Sequence, residues 1–285
     1  MVEARKGDAG RNHQEKAMAN GTLSVGDNGP KVLRLQKALG DHGFSPGLAD
    51  GEFGQGTAAA VTAFQRSENL LADGVAGPRT QAALGLIANP KLRDVSGDVS
   101  VQVVGQMFPQ TPLANIRKHL PIVLDALVEH NLRDKPMILM ALATIRAETE
   151  SFRPISEGIS RFNTSPRGHD FDLYDNRRDL GNQGEPDGAS FRGRGFVQLT
   201  GRANYNRYGP RLSPKESLVA NPERANDAKV AAKLLALFIG DRELSIKDAL
   251  LHGNFQAARR LVNGGVHGLD RFMDAYRRGD ALLTG

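Results

Sequence analysis

The chain has 285 residues, 40% hydrophobic and 24% charged, the balance of a globular protein with one large or two ordinary domains. A formal charge of +5 points to a polyanionic partner: nucleic acid, an anionic membrane surface or an acidic cell-wall polymer. The absence of Lys/Arg-rich runs with interleaved aromatics argues against nucleic acid, and the lack of cysteine excludes disulfides, zinc ribbons and thiol catalysis.

Residues 1–21 are polar and lack the apolar core of a signal peptide, so a disordered tail is expected there. No apolar run approaches the roughly 18–20 residues a spanning helix needs. Synthesis in the cytoplasm and no stable membrane insertion follow as expectations. From Leu23 the pattern becomes regular. Gly29-Pro30 opens a helix carrying Val32, Leu35 and Leu39 at helical spacing. Asp50-Gly-Glu-Phe-Gly54-Gln-Gly-Thr57 then leads into a helix with Val61 and Phe64, and Asp73-Gly-Val-Ala-Gly77-Pro-Arg-Thr80 into one with Ala83, Leu84 and Ile87. The spacing makes Thr57 and Thr80 helix caps in an internal repeat.

With Gly26, Gly29, Gln36 and Gln65 added, this pattern over residues 22–86 resembles the peptidoglycan-binding domain family, a three-helix wall-binding module. The resemblance implies peptidoglycan as partner without naming contacts. Residues 87–100 have Pro, Gly and mixed charge without a sustained period and read as a linker.

From 101 the chain is predominantly helical. Ile116, Leu120, Val123, Leu124, Leu127 and Val128 form an amphipathic stripe. Asp134 can cap the following helix, with Pro136 in its first turn. From Met137 to Ile145 that helix is apolar on almost every side, the mark of a helix buried all round. Glu148 continues one of its faces. A carboxyl at such an edge sits half in apolar surroundings, which disfavours its charged form and suits a general acid. A solvated acid at a helix end is the alternative.

Residues 151–193 are loop-rich, with Glu157, Asp170, Asp172, Asp175, Asp179, Glu185 and Asp187 among glycines. Loops this long inside compact domains usually serve function. Arg194 to Thr200 reads as a short extended segment, with Phe196, Gln198 and Thr200 facing one way and Val197 and Leu199 the other. Helices are expected from Ala228 to Ile239, after an Asn254 cap, and from about Leu269 to Leu283. Asn263 reads most simply as a left-handed residue ending the Asn254-capped helix.

Three blocks together resemble glycoside hydrolase family 19, the chitinase-like lysozymes common among phage endolysins: Ala147-Glu148-Thr149, Tyr174 to Tyr208 around Arg192-Gly-Arg-Gly-Phe-Val-Gln-Leu-Thr200, and Val262-Asn263-Gly-Gly265. The resemblance spans most of 101–285. It implies a mainly α protein, a three-helix wall-binding domain followed by a lysozyme-like helical catalytic domain with a short extended segment. Glu148 falls on the family's general acid and Glu157 on the carboxylate that activates water. Thr200 takes the place of the hydroxyl that positions this water. Gln198, Tyr205, Asn206 and Asn263 fall at saccharide-binding positions.

Two departures stand out: family chitinases usually have His where Ala147 stands, and they place the second glutamate farther along. Glu185, Asp187 and Asp172 therefore stay open as substitutes for Glu157. The implied reaction is inverting hydrolysis of a β-1,4 bond in peptidoglycan by a monomer that acts at the wall after the membrane is permeabilised.

A chitinase, a zinc amidase or peptidase, and a non-catalytic wall-binding protein are the competing readings. His13, His42, His119, His130, His169, His252 and His267 form no His-x-His or His-Glu-x-x-His spacing, so no metal and no cofactor are expected.

Overall fold

The structure is a computed structural model that describes residues 21–212 and 217–284. The expected tail over 1–21 lies outside the described residues except for Gly21. The protein is mainly helical and divides into two compact units. One comprises Met1–Leu92 with Glu243–Leu261, the other Arg93–Arg242 with Val262–Gly285. The sequence boundaries are drawn differently, with a linker to 100 and one domain from 101 to 285. Val95 and Val99 are buried, and Asp94 bridges to Asp134, so the chain is engaged in the second unit before 100.

The first unit holds α1 (Pro30–Asp41), α2 (Gln55–Ser67) and α3 (Pro78–Ala83). Val32, Leu35, Leu39, Val61, Phe64 and Leu84 meet in its core, as their spacing predicts. Ala83 and Ile87 do not, because α3 is only six residues long and the helical period stops before 87. Thr57 and Thr80 are not caps either. The N-cap positions are Gly54 and Gly77, without a side-chain cap bond, and both threonines are the third residue of their helices.

Each hydroxyl instead serves a buried glutamine. Gln36 Nε2 donates to Asp50 Oδ1 (3.0 Å), Glu52 O (3.0 Å) and Thr57 Oγ1 (3.1 Å), while Gly51 N–H donates to its Oε1 (2.8 Å). Gln65 does the same with Asp73, Val75, Thr80 and Gly74. The internal repeat is thus a repeated clamp, in which one amide satisfies a whole Asp-Gly loop.

The second unit begins with α4 (Val101–Met107), α5 (Leu113–Glu129) and α6 (Lys135–Glu148). Asp134 caps α6 by accepting from Met137 N–H at 3.2 Å. Every residue of α6 from Pro136 to Ala147 is buried. β1 (Ile155–Ser156), α7 (Asp172–Asp175), α8 (Asp187–Ser190), β2 (Arg194–Gly195), α9 (Arg202–Leu212) and α10 (Ala228–Gly240) follow. After α11 (Glu243–Leu251) and α12 (Phe255–Asn263), α13 (Leu269–Leu282) lies along α6 and against α4, while α10 packs on α5.

Beyond α6 the chain turns sharply, with Glu150 (φ 44°) and Phe152 (φ 52°) both left-handed. The buried Phe152 ring anchors this turn, 5.0 Å from Phe108 and 6.3 Å from Phe196. β1 then pairs antiparallel with β2, Ile155 opposite Gly195 and Ser156 opposite Arg194. Leu199 bridges back to Arg194, so 196–198 form a turn and the alternation expected along 194–200 is interrupted. Phe196 is fully buried with Val197 and Leu199, because the turn folds its ring onto Phe152 and His119.

Candidate active site

Glu148 ends α6, half-buried, where the apolar helix meets the surface. Asn263 Nδ2 donates to its Oε1 at 3.0 Å. Asn263 closes α12 but is not left-handed. Gly264, at φ 71°, takes that conformation, which leaves the asparagine amide to hold the carboxylate.

Glu157 follows β1. Its own N–H donates to Gly193 O (2.7 Å), and Gly193 N–H returns to its Oε2 (3.1 Å). Asn163 Nδ2 (3.0 Å) and Tyr174 OH (2.9 Å) both donate to Oε1. Burial and the adjacent Glu157 push the Tyr174 phenol up to about 12, so it stays a proton-bearing donor. Three donors from three separate segments of the chain fix the carboxylate before any ligand arrives.

Gly193 also marks where the site converges. A Cβ there would meet Gln198 Oε1 at 2.9 Å and both Glu157 Oε2 and Thr200 Oγ1 at 3.2 Å. Glu157, Gln198 and Thr200 therefore surround one backbone position that only glycine fits without displacement. Gln198, left-handed at φ 52°, donates both amide hydrogen bonds to Ile155 O and Gly195 O, leaving Oε1 on the site side. Thr200 donates its hydroxyl proton to Gln198 O at 2.9 Å. The oxygen is left as an acceptor. A water between Thr200 and Glu157 could give one proton toward each, with a lone pair aimed outward.

The other acidic candidates are engaged differently. Asp172 accepts from Ser165 N–H (2.7 Å) and the Ser165 hydroxyl, which hold its carboxyl below the usual range. Asp187 is buried and held low by Arg202, whose Nε donates at 2.7 Å. Glu185 is exposed, 3.6 Å from His169. Of the four, Glu157 is the one beside Thr200 and Gln198.

Tyr205 is fully buried, and its hydroxyl donates to Arg192 O and accepts from Arg194 Nη1, both at 2.9 Å. Through Arg194 it supports β2, and its ring does not reach the surface. Asn206 is exposed and lines a separate pocket with Gln183, Arg202 and Val219. No spacing along the chain assigns a role to Asn163 and Tyr174, which hold Glu157. The only signal was that Tyr174 begins the loop block ending at Tyr208.

Residues 28–84 match the family described as "Putative peptidoglycan binding domain". A zinc D-Ala-D-Ala carboxypeptidase of Streptomyces albus G is 49% identical over 63 residues, 21% of this chain and 25% of that one. The chain spans between 15% and 27% of the curated relatives it matches. Chitinase C of Streptomyces griseus HUT6037 aligns at 20% identity and TM-score 0.47, covering 70% of this chain and 82% of that one. A Burkholderia AP3 phage endolysin aligns at 20% identity and TM-score 0.23, over 92% of this chain and 98% of that one. Within the first unit, residues 28–84 are thus a domain of the peptidoglycan-binding family.

Proposed function

We propose that the chain is a lysozyme-type glycoside hydrolase, an endolysin that cuts the β-1,4 glycosidic bonds of peptidoglycan with inversion. The observation that carries this reading is the convergence of Glu157, Gln198 and Thr200 on Gly193, with the Glu157 carboxylate held by three donors. In the proposed reaction a water held by Glu157 and Thr200 attacks the anomeric carbon. Glu157 takes the proton it loses. The bond from that carbon to the glycosidic oxygen breaks, and Glu148 gives this oxygen its proton, while Asn263 fixes the carboxyl. Inversion requires the two carboxyls to stand roughly 6.5–9.5 Å apart, with room for the water. The domain at 28–84 would keep the enzyme on the polymer between cuts.

Mass spectrometry of digested peptidoglycan tests this by identifying the sugar at the new reducing end, with chitin digested in parallel. New N-acetylmuramic acid ends are expected. Cleavage of chitin alone would make the protein a chitinase. Glu148→Gln should bind sacculi and release nothing; full lysis by that variant sinks the assignment.

A further inference from the structure

The wall-binding reading of residues 28–84 leaves open which face of the first unit meets the polymer. Val32, Leu35, Gln36 and Leu39 turn one side of α1 into the core. Lys31 and Arg34, three residues apart and so neighbours on the helix, are exposed. They line a pocket of about 170 Å³ together with Pro78, Gln81, Leu86 and Ile87. Neither cation has an ion-pair partner among the described residues. Gln81 is mostly buried, and its Nε2 donates to Gly21 O and Ala76 O, which orients its amide oxygen as a fixed acceptor. Ile87, 44% exposed, gives the rim an apolar edge.

We infer that this pocket takes the carboxylate-bearing end of a peptidoglycan stem peptide, an inference that rests on the wall-binding reading of the domain. Pockets that enclose a drug-sized ligand run to roughly 300–1,000 Å³, so this one takes about one residue of the polymer, and its chemistry decides between sugar and peptide. The glycan backbone is largely uncharged, whereas the stems carry carboxylates, small methyl side chains and amide N–H groups. Arg34 offers a guanidinium fork and Lys31 a second positive charge for a carboxylate. Leu86, Ile87 and Pro78 suit a methyl group, and Gln81 Oε1 accepts from an amide.

The test is co-sedimentation of the full-length protein, carrying Glu148→Gln so that the pellet is not digested, with intact purified sacculi, in competition with free stem peptide or with soluble stem-free glycan strands. Lys31→Ala/Arg34→Ala should raise the apparent dissociation constant at least ~10-fold and flatten its salt dependence. Ile87→Glu, which puts an anion on the rim, should weaken binding as well. Lys37→Ala/Arg66→Ala removes the same charge from exposed positions outside the pocket and should change binding less than ~2-fold. Free stem peptide should displace this parent from the sacculi, and stem-free glycan strands at the same concentration should not. Equal losses in the two double variants, or displacement by the glycan strands and not by the peptide, would overturn the assignment, provided circular dichroism shows both variants folded. If the parent itself fails to bind intact sacculi, the wall-binding reading falls and takes the pocket with it.

Discussion

Glu157 is held by three donors, from Asn163, Tyr174 and Gly193, while Thr200 and Gln198 approach the same backbone position from the other side. Such a site is sensitive to small displacements, since misplacing a reacting group by about 1 Å can cost ~100-fold in rate. Gly193→Ala isolates this effect. The added methyl meets only the ends of side chains, which can swing away, so the fold should lose less than about 1 kcal/mol. The displaced groups are Glu157, Gln198 and Thr200 themselves, so turnover on peptidoglycan should fall ~100-fold. A Gly193→Ala protein of parental rate would separate these residues from the chemistry. Tyr174→Phe removes one donor to Glu157 and leaves the ring. A loss of about 10-fold in kcat with unchanged melting is expected, and steady-state kinetics with thermal unfolding measure both. Glu148, Gln198 and Thr200 were singled out in the sequence because each lies in a distinctive local block, and Glu157 from one loop position, with Glu185, Asp187 and Asp172 open beside it. Asn163 and Tyr174 were not, because their contacts with Glu157 arise from how the 158–192 loop folds back, which no local spacing encodes.

At the level of elements, periodicity was the reliable guide. The burial of α6 on all sides, the Asp134 cap and the bounds of α10 and α13 follow from apolar spacing and cap chemistry. Where short elements are set by side-chain hydrogen bonds, the pattern misled. The 196–198 turn looked like a strand because its residues alternate in polarity, and Thr57 and Thr80 looked like caps because they follow glycine-rich loops. Their real partners, Gln36 and Gln65, stand 21 and 15 residues earlier, within helices where glutamine is unremarkable. Each clamp makes three donor bonds and one acceptor bond in a nearly water-free place. Gln65→Ala leaves Val75 O, Thr80 Oγ1 and Gly74 N–H without that partner. Unsatisfied buried groups cost about 1–3 kcal/mol each, partly relieved by water entering the gap. A loss of roughly 2–4 kcal/mol in the first unit is expected, and Gln36→Ala should match it because the geometry repeats. Denaturant unfolding of the two variants measures this; a loss in only one would mean that the repeat is not energetically symmetric.

The first unit is built from two distant pieces of chain, which no boundary drawn along the sequence can reveal: Glu243–Leu261 belongs with residues up to Leu92. Contacts at Asp248 and His252 help to join the pieces. Leu71 N–H donates to Asp248 Oδ2 at 3.2 Å, and Gly77 lies under His252 so closely that a Cβ would reach its Nε2 at 1.2 Å. Asp248 is fully buried, its Oδ1 has no hydrogen-bond partner among the described residues, and His252 Nε2 stands 3.6 Å away. Burial, aided by the charge of Asp73, pushes the Asp248 carboxyl from 3.8 up to about 7, with Arg79 opposing. Burial lowers His252, so the imidazole favours its neutral form. The Asp248 carboxyl is raised in the folded state. Its contribution to stability is therefore full below about pH 4, shrinks as the unfolded chain ionises first, and is gone above about pH 7. His252 acts in the opposite sense, losing stability as pH falls below about 6.5, so the total profile of the parent mixes the two. Comparison with Asp248→Asn separates them. The amide can still accept from Leu71 N–H but cannot ionise, so near pH 4 the variant and parent should be nearly equal. Between pH 4 and 7 the variant should gain on the parent by up to about 1.4 kcal/mol per pH unit, then hold a constant lead. Hydrogen exchange at the Leu71 amide and along α11, followed across this range in both proteins, reads the effect where it arises. A difference that is flat with pH, or largest in acid, would mean that Asp248 is charged in the folded unit and that burial is not what holds its proton.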